Sequence, residues 1–71
     1  MTKRISRDTV LEILNSDPTQ DFTPEYISSR LGYSGDGRAI RRVSSICKRL
    51  VREGCAKDVS FPNCECYRRS S

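Results

Sequence analysis

The stretch from Arg38 to Arg52 restricts the possible folds more than any other part of the sequence. Successive residues of a helix are about 100° apart, and on that spacing Val43, Cys47, Leu50 and Val51 fall within roughly 80° of Ile40. Ile46 belongs to the same apolar period. The opposite side of the helix carries six Lys or Arg residues, and the stretch contains no acidic residue. The pattern predicts a helix with one face in a core and a basic face left for binding.

The basic face differs from an ordinary solvated helix surface. Such surfaces usually mix charge signs, because opposite charges four residues apart stabilise a helix by about 0.2–0.5 kcal/mol. Uncompensated positive charges repel one another, whereas a polyanion would relieve the repulsion and release its own counterions. A plain solvated face and a membrane-surface role are alternatives. No bulky aromatic residue is available in this helix to enter lipid, so the pattern favours a polyanion.

Two shorter helices are predicted before the basic one. The first spans residues 6–15, with Ser6 as its cap, and ends at Asp17-Pro18 because the residue before proline avoids helical geometry. The second is capped by Thr23, has Pro24 at its first position and stops at Gly32.

A turn over residues 33–37 and a C-terminal hairpin complete the predicted elements. The third helix is expected to begin near Arg38, with Asp36 or Gly37 as its cap, and to stop at Gly54. Residues 55–59 and 64–68 then read as two short strands joined by a turn over residues 60–63, where Pro62 suits a loop tip.

Length and composition limit the function. The 71 residues predict a single domain over positions 1–71 with a small core, since a chain of this size buries only about 60% of its surface. Histidine is absent, and Gly35-Asp36-Gly37 is too short to cradle a phosphate. We therefore expect no enzyme and no cofactor. The sequence has no apolar run of membrane length and no signal peptide, so the expected location is the cytoplasm.

The four cysteines, Cys47, Cys55, Cys64 and Cys66, are predicted to be small apolar residues of the core or sheet rather than metal ligands. One Cys-x-Cys pair with two isolated partners is not a zinc-knuckle spacing. A four-thiolate zinc site and a disulfide or redox switch remain alternatives.

The order helix, extended link, helix, turn, helix, hairpin resembles the winged helix-turn-helix fold. The stretches that carry the resemblance are residues 22–27, 31–34 and 43–54. The last is similar to the recognition-helix ending of regulators of the multiple-antibiotic-resistance type, and the small size is similar to that of fimbrial-operon regulators. The resemblance implies an α+β fold of three helices with a two-stranded hairpin wing. It also implies a small transcriptional regulator, nucleoid-associated, that binds double-stranded DNA as a monomer or a weak DNA-assembled dimer.

The resemblance also assigns roles to residues. The third helix would enter the major groove and place Arg38, Arg41, Arg42, Ser44 and Ser45 nearest the base edges, where arginine can pair with guanine. Phosphates would be contacted by Lys48, Arg49 and Arg52, by Thr23 with the start of the second helix, and by Lys57 and Asn63 of the wing. The interval from Gly32 to Gly54 is longer than usual, which leaves the register of these contacts open by about one helical turn. The alternatives are an acidic protein partner for the same face and, less favoured, RNA.

Overall fold

Three helices followed by two antiparallel strands make up the fold in a computed structural model that describes residues 3–17 and 19–70. The elements are α1 (Arg7–Ser16), α2 (Pro24–Arg30), α3 (Gly37–Arg52), β1 (Ala56–Asp58) and β2 (Tyr67–Arg69). The predicted α+β order of three helices and a C-terminal two-stranded hairpin is confirmed. Pro18, part of the predicted end of the first helix, lies outside the described residues.

The three helices begin where side chains accept hydrogen bonds from free backbone N–H groups. Ser6 caps α1 and Thr23 caps α2, as predicted, with Pro24 in the first turn. The α3 cap is Asp36, whose carboxylate accepts the N–H groups of the second and third helical residues at 3.0 and 3.3 Å. The third helix therefore starts at Gly37, one residue earlier than the expected Arg38.

The long interval between α2 and α3 is divided between a loop and an extended helix. Gly32 and Gly35 have φ values of 95° and 77°, a left-handed conformation that glycine adopts without a steric penalty. The Tyr33 N–H returns to the Ser28 carbonyl at 2.9 Å, which fixes the start of the loop. The loop over residues 31–36 and the start of α3 one residue before Arg38 together account for the length of the interval.

The core contains residues from all three helices and both strands. On α3 the buried positions differ in part from the predicted set: Ala39 is buried, whereas Ile40, Ile46 and Val51 are only partly so. The buried side is therefore centred nearer Val43 than Ile40, because the side chains of α1 and α2 meet that face. The core residues are Ile5, Val10, Ile13, Leu14, Phe22, Ile27, Leu31, Ala39, Val43, Cys47, Leu50, Ala56 and Tyr67.

The strands of the hairpin are shorter than predicted, and the second begins three residues later. Ala56 pairs with Arg69 and Asp58 with Tyr67, so the predicted ranges 55–59 and 64–68 were wrong in their bounds. The cause is local side-chain bonding. The Asp58 carboxylate accepts the Ser60 N–H at 3.0 Å, and the Ser60 hydroxyl accepts the Cys66 N–H at 3.1 Å. The Ser60 hydroxyl thus replaces a backbone acceptor of the ladder, although the Val59 N–H still reaches the Cys66 carbonyl at 3.0 Å.

A short extended link joins the hairpin to the helices. Phe22, between α1 and α2, exchanges two backbone hydrogen bonds with Tyr67, at 2.7 and 2.8 Å. Both side chains are 1% exposed. The hairpin is consequently attached to the core through its second strand, which fixes its position beside α3.

Candidate nucleic-acid interface

The outer side of α3 forms a continuous basic surface. All six of its cations are solvent-exposed, as the sequence predicted, and they constitute the basic face: Arg38, Arg41, Arg42, Lys48, Arg49 and Arg52. The ion pairs within residues 3–17 and 19–70 lie elsewhere and join Arg7 to Asp8 and Glu53, and Arg68 to Asp21. The basic face is therefore a set of like charges that no carboxylate within the described chain pairs with.

The opposite side of α3 holds this face in a fixed direction. Val43, Cys47 and Leu50 are completely buried, and α3 packs against both α1 and α2. Rotating the helix about its axis would expose these side chains, at a cost of about 1.5–3 kcal/mol for each fully buried aliphatic group. The cations are thus presented outward by the packing of the same helix.

The two serines of α3 occupy different environments. Ser45 is exposed between the cations. Ser44 is half-buried, and its hydroxyl donates a short hydrogen bond to the Glu65 carboxylate of the hairpin. The Tyr67 hydroxyl donates to the same carboxylate oxygen at 2.6 Å. Of the two serines expected near base edges, Ser44 is thus engaged in holding the hairpin to α3.

Glu65 is the acidic centre of this junction. Burial raises its pKa, but the hydrogen bonds from Ser44 and Tyr67 and the positive charge of Lys48 outweigh burial, and the pKa is lowered overall. The carboxylate therefore stays ionised and keeps its two donors. Burial, with the Glu65 hydrogen bond next in importance, raises the pKa of Tyr67 in turn.

A shallow cleft separates the start of α2 from the tip of the hairpin. Its volume is about 160 Å³, below the size of sites that enclose small-molecule ligands. Thr23 and Asn63, both predicted phosphate contacts, line it together, so the fold brings these distant positions to one place. The other lining residues are Pro24, Glu25, Ile40, Cys64 and Glu65.

The start of α2 offers few donors to a phosphate. The Thr23 hydroxyl already accepts the Tyr26 N–H at 3.1 Å, and Pro24 has no N–H to donate. Glu25 adds a carboxylate to the same turn. The contribution expected from this position is therefore limited to the hydroxyl proton of Thr23 and the backbone N–H of Glu25.

The hairpin offers fewer unpaired positive charges to a ligand than α3 does. Lys57 is exposed on β1, opposite Arg68, which is bound to Asp21 at 2.7 Å. The tip presents an apolar side chain, Phe61, which is 62% exposed, and next to it Asn63. Lys57 and Asn63 are exposed, as contact with phosphates would require, but they lie on a hairpin whose other charges are largely paired within the protein.

The four cysteines are separated into three environments. Cys47 is buried in the core, and burial raises its pKa to about 12. Cys55 is half-buried, and the Arg7 guanidinium donates to its sulfur at 3.6 Å. Cys64 and Cys66 lie together in the hairpin with their sulfurs 3.3 Å apart. Within residues 3–17 and 19–70, no three side chains of the Cys, His, Asp or Glu type form a group that could hold a metal ion.

Two contacts of this region were not predicted from the sequence. The junction of Ser44 with Glu65 joins residues twenty-one positions apart, and nothing in their local context marks the pairing. The approach of Cys64 to Cys66 could have been anticipated, because residues two apart in an extended chain point to the same side.

Comparisons with known proteins assign no relative to this chain. No family model matches it, and searches of curated proteins and of solved structures return no match. In the part of the chain that the structure describes, no helix combines the length and the apolar character needed to span a membrane.

Proposed function

We propose that this protein binds double-stranded DNA and acts as a small transcriptional regulator, with α3 in the major groove. The observation that carries the proposal is the basic face, whose six exposed cations lie opposite the buried side of a single helix. Helices of this width enter the major groove of B-DNA, where arginine reads guanine through two hydrogen bonds.

The order of elements supports the same assignment. Two helices and a loop precede α3, and an extended residue between α1 and α2 pairs with the hairpin, as expected for a winged helix. On this proposal Arg38, Arg41, Arg42 and Ser45 face bases. Lys48, Arg49 and Arg52 contact phosphates, and Thr23, Lys57 and Asn63 contribute at the edges.

The proposal describes a binding protein and not an enzyme. A cleft beside α1, with a volume of about 90 Å³, and the cleft beside the hairpin are both too small to enclose a substrate. All three helices contribute to one core, so we propose a monomer or a weak dimer assembled on DNA. DNA binding would place the protein in the cytoplasm, with the nucleoid.

The test is fluorescence anisotropy with a labelled random-sequence duplex at several salt concentrations. We expect log Kd to change by about 0.9 per log unit of salt for each phosphate contacted, which for four contacts amounts to more than a hundredfold between about 50 and 200 mM. The Arg41→Ala, Arg42→Ala double variant should lose sequence preference in a selection from random duplexes while keeping its helical circular dichroism.

A matched control removes the same charge elsewhere. The Lys3→Ala, Arg4→Ala variant loses two positive charges at exposed positions outside α3, and we expect it to retain most of its affinity. Equal losses for the two double variants would mean that net charge, and not the basic face, determines binding. If the wild-type protein ignores duplex DNA at low salt, the proposal fails, and an acidic protein partner for the basic face becomes the assignment to pursue.

A further inference from the structure

We propose that Cys64 and Cys66 form a two-thiolate site for a soft monovalent cation of the Cu(I) class. The site lies in the hairpin and uses none of the cations of α3, although Cys64 shares a cleft with Thr23 and Asn63. Its basis is the position of the two sulfurs, 3.3 Å apart and on the same side of the chain.

The hairpin holds both cysteines in place through its backbone. Cys64 exchanges two hydrogen bonds with Phe61, at 2.8 and 3.1 Å. Cys66 accepts the Val59 N–H at 3.0 Å and donates its own N–H to the Ser60 hydroxyl at 3.1 Å. The two α-carbons are thus fixed on either side of Glu65, and only the side-chain torsions remain to be adjusted on binding.

Access to the pair comes from one direction. The side chain of Cys64 is exposed and lines the cleft beside Thr23, whereas Cys66 is 6% exposed. An ion reaching the cleft therefore meets Cys64 first and can then be held by Cys66 from the buried side. Cys47 and Cys55 have no comparable arrangement, since one lies in the core and the other contacts the Arg7 guanidinium.

The number and kind of ligands select the ion. Structural zinc takes four ligands and catalytic zinc three with a water, whereas no group of three or more candidate ligands occurs in the described chain. Calcium and magnesium require oxygen ligands. Thiolates favour soft ions, and Cu(I) is stable with two of them alone. Binding replaces both thiol protons by one Cu(I), so two protons are released and no electron is transferred.

The surroundings of the pair do not favour an oxidation-sensitive thiol. The hydrogen bond with Cys64 and burial, followed by the carboxylates of Asp21 and Glu65, raise the pKa of Cys66 to about 11. Reactive, readily oxidised cysteines lie in electropositive surroundings, which stabilise the thiolate that oxidants attack. Affinity for Cu(I) comes from the two sulfur ligands and not from the surrounding charge, because exchanging two protons for one Cu(I) makes the site more negative.

The test is a competition titration of the reduced protein with Cu(I) and a chromophoric Cu(I) chelator, under anaerobic conditions and without DNA. We expect a single Cu(I) per chain and a loss of at least about 100-fold in affinity for Cys64→Ser, since weakening even the support of a ligand costs about 10–100-fold. Zn(II) in equal amount should not displace the copper.

Control variants separate this site from the other thiols. Cys55→Ser, at a half-buried cysteine outside the pair, should bind Cu(I) as the wild type does. Cys64 is exposed, so Cys64→Ser is expected to fold, which circular dichroism checks. The proposal is overturned if Cys64→Ser keeps wild-type affinity, if Cys55→Ser loses as much, if zinc displaces copper, or if sedimentation shows that copper binds only by joining two chains.

Discussion

The basic face of α3 and the C-terminal hairpin lie side by side, but the charges of the first are unpaired and those of the second are mostly paired. On α3 the cations extend over about four helical turns, and none of them forms an ion pair with a carboxylate of the described residues. In the hairpin Arg68 is bound to Asp21, Asp58 accepts the Ser60 N–H, and Glu65 accepts two hydroxyls. The charges of the hairpin therefore stabilise the free protein. The like charges on α3 repel one another and lower the stability of the free protein. Substitutions in the two regions should therefore have different consequences.

The largest effect is expected in the hairpin, from Tyr67→Ala. Tyr67 is 1% exposed and donates to Glu65, so truncation leaves a cavity and reduces the donors of the Glu65 carboxylate from two to the Ser44 hydroxyl alone. We expect a loss of about 3–5 kcal/mol in the free energy of unfolding, measured by urea denaturation. Tyr67→Phe, which removes the hydroxyl alone, should cost about 1–3 kcal/mol. Near-equal stability of Tyr67→Ala and wild type would show that the hairpin is not attached to the core in solution.

The second prediction concerns α3, where Arg38→Glu should raise the stability of the protein and weaken its binding to DNA. Arg38 and Arg42 are four residues apart, so Arg38→Glu replaces a repulsive pair by an attractive one and puts an acidic residue in the first turn. We expect the free energy of unfolding to rise by about 0.5 kcal/mol. The free energy of DNA binding should weaken by about 1–3 kcal/mol, measured by anisotropy. A variant that loses stability and binding together would show that α3 contributes to binding only by folding.

The third prediction uses the pH dependence of Glu65. Its folded pKa lies below that of the unfolded chain, so its stabilising contribution is present above the unfolded value of about 4.3 and is lost as pH falls through the folded pKa. Glu65→Gln should lower stability by about 1–2 kcal/mol at neutral pH, because a charged acceptor is replaced by a neutral one. Measured by urea unfolding, the difference between variant and wild type should shrink in acid. A constant difference across pH would contradict the role of the ionised carboxylate.

The smallest effect is expected from Lys57→Ala. Lys57 is exposed and stands opposite Arg68, so its removal should change the free energy of unfolding by less than about 0.5 kcal/mol. In DNA binding it represents one phosphate contact at most and should reduce the salt slope by about 1 or less. A larger loss than that of Arg38→Glu would reverse the comparison and make the hairpin the principal contact with DNA.

Much of the fold follows from local signals in the sequence. Ser6 and Thr23 cap helices because their hydroxyls accept N–H groups within three residues. The separation of cations from apolar residues on α3 follows from the helical period alone. The bounds of the hairpin strands could not be predicted in the same way, because the bonds of Asp58 and Ser60 that interrupt the ladder compete with pairing partners about ten residues away.

The sequence by itself determined which helix carries the basic face and which residues belong to it, because spacing along a helix fixes the angle of every side chain. Only the tertiary structure decided which side of α3 is buried most deeply, where the packing of α1 and α2 selects Ala39 over Ile40. The tertiary structure likewise brought Ser44 to Glu65 and Thr23 to the cleft shared with Asn63. Contacts of this kind depend on how separate elements pack, and no periodicity within one element contains that information.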